Sequence, residues 1–185
     1  MEKYIQEIRA ERARQDKKFG EQNHSPIEFM AILAEEIGEV NKEIVDAHFG
    51  FAPKEKCIEK ARVEFIQVAA MAYQCAEAIS RQTGHECQFH NDECYSNLET
   101  EVKEFYSVSG YGTKCFVQAL TGIGCSYGNA CQIAMDIDSD EPFEGKVSIE
   151  VKKLADYLSS MYMIILMCVS SVHIIDKSKT GSNGQ

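Results

Sequence analysis

Carboxylates at regular spacing are the residues of this chain best placed to do chemistry. Glu35, Glu36 and Glu39 lie within five residues, and Glu64 and Gln67 follow, Glu64 standing 25 residues after Glu39 (64 − 39). On a helix Glu36 and Glu39 are about 60° apart, neighbours one turn up. Glu36 borders the apolar face that Leu33 marks, and Glu35 points further round. Glu64, Gln67, Val68, Met71 and Cys75 follow i, i+3, i+4, i+7 and i+11, so a carboxylate heads an otherwise apolar stripe. A carboxylate buried without a partner is expensive, and three facing one another repel. A divalent cation resolves both problems. Hard oxygen ligands favour Mg²⁺, with Mn²⁺ as the alternative ion. Gly38 has no side chain and is expected to let a neighbouring helix or a ligand come close.

A second constellation is His85, Cys87, His90 and Cys94, four zinc-type ligands within ten residues. Their spacing matches no common zinc module, and a polar linker with incidental ligands is the preferred reading. The eight cysteines include no CxxC pair, and the first residues, MEKYIQEIRAER, lack the apolar segment of an export signal. The expected compartment is reducing and cytoplasmic, and most cysteines are expected to be small buried thiols rather than disulfides.

The elements that must position the carboxylates are helices. Residues 2–18 are charged and helix-prone, with Ile5 and Ile8 as apolar anchors. Ser25-Pro26-Ile27-Glu28 is a helix start, with a capping serine, a proline at the first helical position and a glutamate placed for a capping box. That helix runs to about His48, with Leu33, Ile37, Val40 and Ile44 on one face. Gly50 and Pro53 separate it from a long helix over 54–80, apolar on two faces, one bearing Val63, Ile66, Ala70 and Tyr73. A polar stretch over 85–97 precedes helical regions at 98–106, 113–136 and 147–176, and the tail 177–185 is expected to be disordered. Alternating strand patterns are scarce, so the fold class is all-α.

Two degenerate copies share this pattern. Pro53 and Pro142 are 89 residues apart (142 − 53), and Gly38 and Gly128 are 90 apart (128 − 38). Residues 1–84 form the first half and 98–176 the second, joined by the linker 85–97. The second half lacks the constellation: Ser126 and Asn129 replace Glu36 and Glu39, Lys153 and Asp156 replace Glu64 and Gln67, and only Asp156 remains acidic.

The length of 185 residues suffices for a core without disulfides. A net charge of −10 argues against binding nucleic-acid polymers or anionic lipid, both of which need clustered lysine and arginine. The apolar run 158–175 holds four serines and His173, which favours a buried helix over a membrane span. No G-x-x-x-x-G-K-[ST] sequence is present, which excludes a standard P-loop.

Over residues 10–80 the chain resembles the MazG-like, all-α nucleoside triphosphate pyrophosphohydrolase superfamily, which includes the dimeric dUTPases. The family hallmark, EExxE on one helix and ExxD on the next, reads here as Glu35-Glu36-x-x-Glu39 and Glu64-x-x-Gln67, and the segment FGEQNHSP (19–26) is also similar. The resemblance implies Mg²⁺-dependent hydrolysis of a (deoxy)nucleoside triphosphate to monophosphate and pyrophosphate. It makes Glu36, Glu39 and Glu64 metal ligands, with Gln67 where the family has aspartate. An amide offers one neutral oxygen and holds Mg²⁺ more weakly. Glu35 is implied to orient or deprotonate the attacking water. Lys17, Lys18, Gln22 and His24 are candidates for phosphate or base contacts, and Lys153 and Tyr127 for contacts from the second half. Family units are commonly dimers of helical hairpins, which implies a fused pseudo-dimer here, as a monomer or pairing again as a homodimer. The rival expectation is a non-catalytic helical module that senses nucleotides or packs on a protein partner.

Overall fold

The computed structural model of the chain describes residues 2–83 and 113–138, with 153, 154, 158 and 165. The described residues are all helical apart from short connections, as the sequence predicts. Among the described residues the helices are α1 (Glu2–Phe19), α2 (Pro26–Phe49), α3 (Lys54–Thr83) and α4 (Thr113–Asp138), with 153, 154, 158 and 165 also helical. No described helix is long and apolar enough to cross a membrane. The linker 85–97 with His85, Cys87, His90 and Cys94, the tail 177–185 and Asp156 lie outside the described residues, as does most of the expected final helix.

Local chemistry sets the helix ends. At the start of α2 the Ser25 hydroxyl accepts the Glu28 N–H at 3.4 Å while the Glu28 carboxylate accepts the Ser25 N–H at 2.8 Å. This reciprocal box satisfies two of the donors that a helix start leaves open, and Pro26 has no N–H to satisfy. Gly20 ends α1 and Gly50 ends α2, each at a positive φ (75° and 74°), donating its N–H back to Asp16 and Asp46 respectively. That left-handed turn is one glycine adopts without steric penalty.

The connection between α2 and α3 is short, so the two helices form an antiparallel hairpin. Glu43 on α2 meets Lys60 on α3 at 3.1 Å, which fixes the register. In that register Glu39 stands opposite Glu64. The core stripe of α2 is Phe29, Leu33, Ile37, Val40 and Ile44, all buried. On α3, Ala69, Ala70, Ala72, Ala76 and Ala78 are buried alongside Phe65, Val68 and Ile79. The small side chains leave room for neighbours on two sides. α2 packs on both α3 and α4, and α1 packs on α3. Truncating a residue such as Leu33 to alanine in this core is worth about 2–5 kcal/mol of stability.

Three sequence expectations are corrected by the packing. The buried stripe of α1 extends beyond Ile5 and Ile8 to the polar Arg12 and Gln15. Arg12 enters because its guanidinium is satisfied by Glu77 of α3 and Asp16 of α1. Val63 is 48% exposed, because its face of α3 meets only the edge of α1. Gly38 does not bring a neighbouring helix close: among the described residues a side chain there would meet nothing within 4 Å. Among the described cysteines, Cys57 and Cys75 are buried thiols, whereas Cys125 is exposed and Cys131 partly so.

Several described residues at the sequence offsets are buried in both positions, whereas Met30 and Ile37 are buried and Leu120 and Tyr127 only half-buried. Leu33, Val40 and Ile44 are buried, and so are Ile123, Ala130 and Ala134, each 90 positions later. Phe65, Ala69 and Ala76 are buried, and so are Leu154, Leu158 and Ile165, each 89 later.

Candidate metal centre

The antiparallel register of α2 and α3 brings three glutamates distant in sequence to one place. Glu36, Glu39 and Glu64 each offer a carboxylate oxygen, and these atoms all lie within 4.8 Å of one another. Glu39 is exposed, while Glu36 and Glu64 sink partly between the helices. One oxygen of Glu36, Oε2, is buried and has no hydrogen-bond partner among the described residues.

The electrostatics record the crowding. Burial pushes the Glu36 carboxyl up to about 7, with further upward pressure from Glu39, Glu64, Glu35 and Glu11. Burial also raises Glu64, followed by the charge of Glu39. The Gln67 amide opposes this by donating a hydrogen bond to the Glu64 carboxylate. One turn away the situation inverts. Burial alone would raise Glu43, but hydrogen bonds from Lys60 and Lys42 outweigh it and hold that carboxylate below its usual range. Glu43 is therefore a satisfied ion-pair partner, whereas Glu36, Glu39 and Glu64 form a negative site with an orphaned acceptor. Such a donor set fits a hard divalent cation, which would supply the missing partner and cancel the repulsion.

Comparison of the chain with protein-family models, curated proteins and solved structures gave no match.

Glu35 is exposed beside the cluster and close enough to act on Glu36. The other candidates are placed elsewhere. Lys17 and Lys18 are exposed at the end of α1, and the Lys18 ammonium lies 4.4 Å from the centre of the Phe19 ring. The Gln22 side chain accepts a hydrogen bond from the buried Gln74 at 3.1 Å. Gln74 follows Glu64 by ten residues, about 15 Å along α3. His24 packs edge-on against Phe29, with ring centroids 5.3 Å apart, and its carbonyl accepts from Gln82. Arg81 adds bonds to the Asn23 side chain and the Gln22 carbonyl. The loop before α2 is thus tied to the far half of α3. Lys153 is exposed, and Tyr127 donates its hydroxyl to the Met30 carbonyl at 2.9 Å, linking α4 to α2.

Two residues the sequence reading passed over lie nearer the carboxylates. Glu11 and Arg14 of α1 both act on the Glu36 region, and Arg14 grips Glu11 through two hydrogen bonds of 2.7 and 2.6 Å. The available signal was the stripe Glu7, Ala10, Glu11 and Arg14, spaced i, i+3, i+4 and i+7.

Proposed function

We propose that this chain is a Mg²⁺-dependent nucleoside triphosphate pyrophosphohydrolase of MazG-like type, converting a (deoxy)nucleoside triphosphate to monophosphate and pyrophosphate. The observation that carries this reading is the orphaned, buried Oε2 of Glu36 within a triad of carboxylates whose oxygens converge to within 4.8 Å. Solvated acidic faces do not bury an unpartnered oxygen. The hallmark spacing of Glu35, Glu36, Glu39 and Glu64 supplies the chemical class.

Glu36, Glu39 and Glu64 would hold the cation, with Mn²⁺ an alternative. When bound, Mg²⁺ screens the phosphate charge against the acidic protein and stabilises charge on the leaving pyrophosphate. Glu35, exposed beside the triad, would orient a water toward the α-phosphorus and accept its proton. Gln67 holds Glu64 in place through its amide. Glu43, neutralised by Lys60 and Lys42, closes the hairpin below the site without adding free negative charge. No nucleophilic side chain is required. The second half, without carboxylates at Ser126, Asn129 and Lys153, would serve as the partner unit of a fused pseudo-dimer.

The test is to incubate the full chain with each dNTP and NTP plus Mg²⁺ and to measure pyrophosphate. Turnover that disappears in Glu39→Ala and Glu64→Ala supports the enzyme. Saturable nucleotide binding without turnover on any substrate would instead establish a nucleotide sensor. The use of Gln67 as a hydrogen-bond donor, rather than a carboxylate, is what favours that second reading.

A further inference from the structure

A groove of about 520 Å³ opens between α1 and α3 beside the carboxylates. Glu7, Ala10, Glu11 and Arg14 line one wall, and Val63, Ile66 and Gln67 the other. Its size falls in the range of small-molecule sites, roughly 300–1,000 Å³. Its floor is apolar, and Val63 is left open to solvent there. Gln67 belongs to both places: it lines the groove and bonds Glu64. Gln67 therefore joins the groove to the carboxylate site.

The charge on that surface is unevenly committed. Arg62 pairs with Glu7, Lys60 with Glu43, and the buried Arg12 with Glu77 and Asp16. Arg14 differs. Its side chain is 54% exposed, its partner Glu11 lies on its own helix at i,i+3 and not on α3, and Glu36 acts on its charge. The pair ties no two helices together, so a ligand that offers Arg14 equivalent acceptor oxygens can replace Glu11 without opening the fold. The planar fork that now spans two carboxylate oxygens fits two phosphate oxygens equally well.

We propose that this groove binds the substrate of the carboxylate site, a phosphate ester whose flat, uncharged ring lies on Ala10, Val63 and Ile66 and whose phosphate draws Arg14 away from Glu11. The inference rests on the nucleotide reading above and adds where the substrate lies. It also identifies a cation that could oppose the repulsion of a triphosphate by a chain of net charge −10.

The test uses the full chain and two probes, Mn²⁺ alone and the slowly hydrolysed α,β-imido analogues of dATP, dCTP, dGTP and dUTP with Mg²⁺. Arg14→Ala is expected to leave Mn²⁺ affinity within about twofold while weakening the best analogue about tenfold or more. Arg14→Lys restores part of that loss, because a point charge lacks the fork. Val63→Trp, at an exposed position, fills the groove and blocks the analogue with Mn²⁺ binding and helical content unchanged. Glu11→Gln tightens the analogue only while Arg14 is present. Analogue binding equal in wild type, Arg14→Ala and Val63→Trp overturns the groove and leaves the carboxylate site standing. A folded wild type that binds neither Mn²⁺ nor any analogue overturns both.

Discussion

The side-chain amide of Gln67 donates a hydrogen bond to the carboxylate of Glu64, one turn earlier on α3. The bond favours the charged form of Glu64 against burial and the repulsion of Glu39. Gln67 therefore steadies the cluster without adding to its negative charge. Gln67→Asp is expected to tighten divalent-cation binding about tenfold, since a fourth carboxylate is a better hard ligand than an amide. The same change should destabilise the metal-free protein by about 1 kcal/mol through added repulsion. Mn²⁺ titration and urea unfolding with chelator measure the two effects. Unchanged affinity would place residue 67 outside the coordination sphere.

The metal-free protein should lose stability as pH rises toward neutrality. Burial and the neighbouring carboxylates raise Glu36 to about 7 in the fold, against an ordinary value of 4.5. Between those values the folded state holds a proton that the unfolded state has released, so stability is fully present below pH 4.5 and is lost as pH passes 7. After discounting for solvent screening, the contribution is about 1–2 kcal/mol. Glu36→Gln should flatten this pH dependence and abolish Mn²⁺ binding. With saturating Mg²⁺ the slope should reverse, because protons compete with the cation for the same oxygens. Denaturant unfolding at pH 5, 6, 7 and 8, with chelator and with Mg²⁺, gives the comparison. A flat chelator profile would contradict the assignment to Glu36.

Tyr127 ties α4 to α2 through the Met30 carbonyl. Burial raises its phenol to about 12, so the hydroxyl remains a donor throughout the neutral range. Tyr127→Phe is expected to lower stability by about 1 kcal/mol and to leave Mn²⁺ affinity unaltered. A lowered urea midpoint with an unchanged slope is the signature of this loss.

Ser25 carries the start of α2, the helix that bears Glu36 and Glu39. Ser25→Ala removes the side-chain half of the capping box and should reduce stability by about 1 kcal/mol, whereas Ser25→Asp should retain most of it. Thermal unfolding of the three proteins settles the order. Equal midpoints for serine and alanine would show that α2 is held by packing alone.

Local sequence chemistry sets the bounds of α2 and the face on which Glu36 and Glu39 stand. Ser25, Pro26 and Gly50 bound α2 through backbone chemistry confined to a few residues, and the spacing of Leu33, Ile37, Val40 and Ile44 names its buried face. The same periodicity puts Glu36 and Glu39 one turn apart and Glu64 at the head of an apolar stripe. These are local properties, set by 3.6 residues per turn.

Which of those faces meet depends on the packing of one helix against another. Val63 has a core residue's spacing but stays open, a side chain at Gly38 would meet nothing within 4 Å among the described residues, and Arg12 is buried because Glu77, 65 positions away, reaches it. Gln22 and His24 sit in a loop that Gln74, Arg81 and Gln82 fasten from α3, and Arg14 reaches the neighbourhood of Glu36 because α1 lies on α3. Periodicity along one helix carries no information about the rotation and offset of the next. Those depend on which side chains interlock across the interface, and that interlocking placed Glu36, Glu39 and Glu64 together.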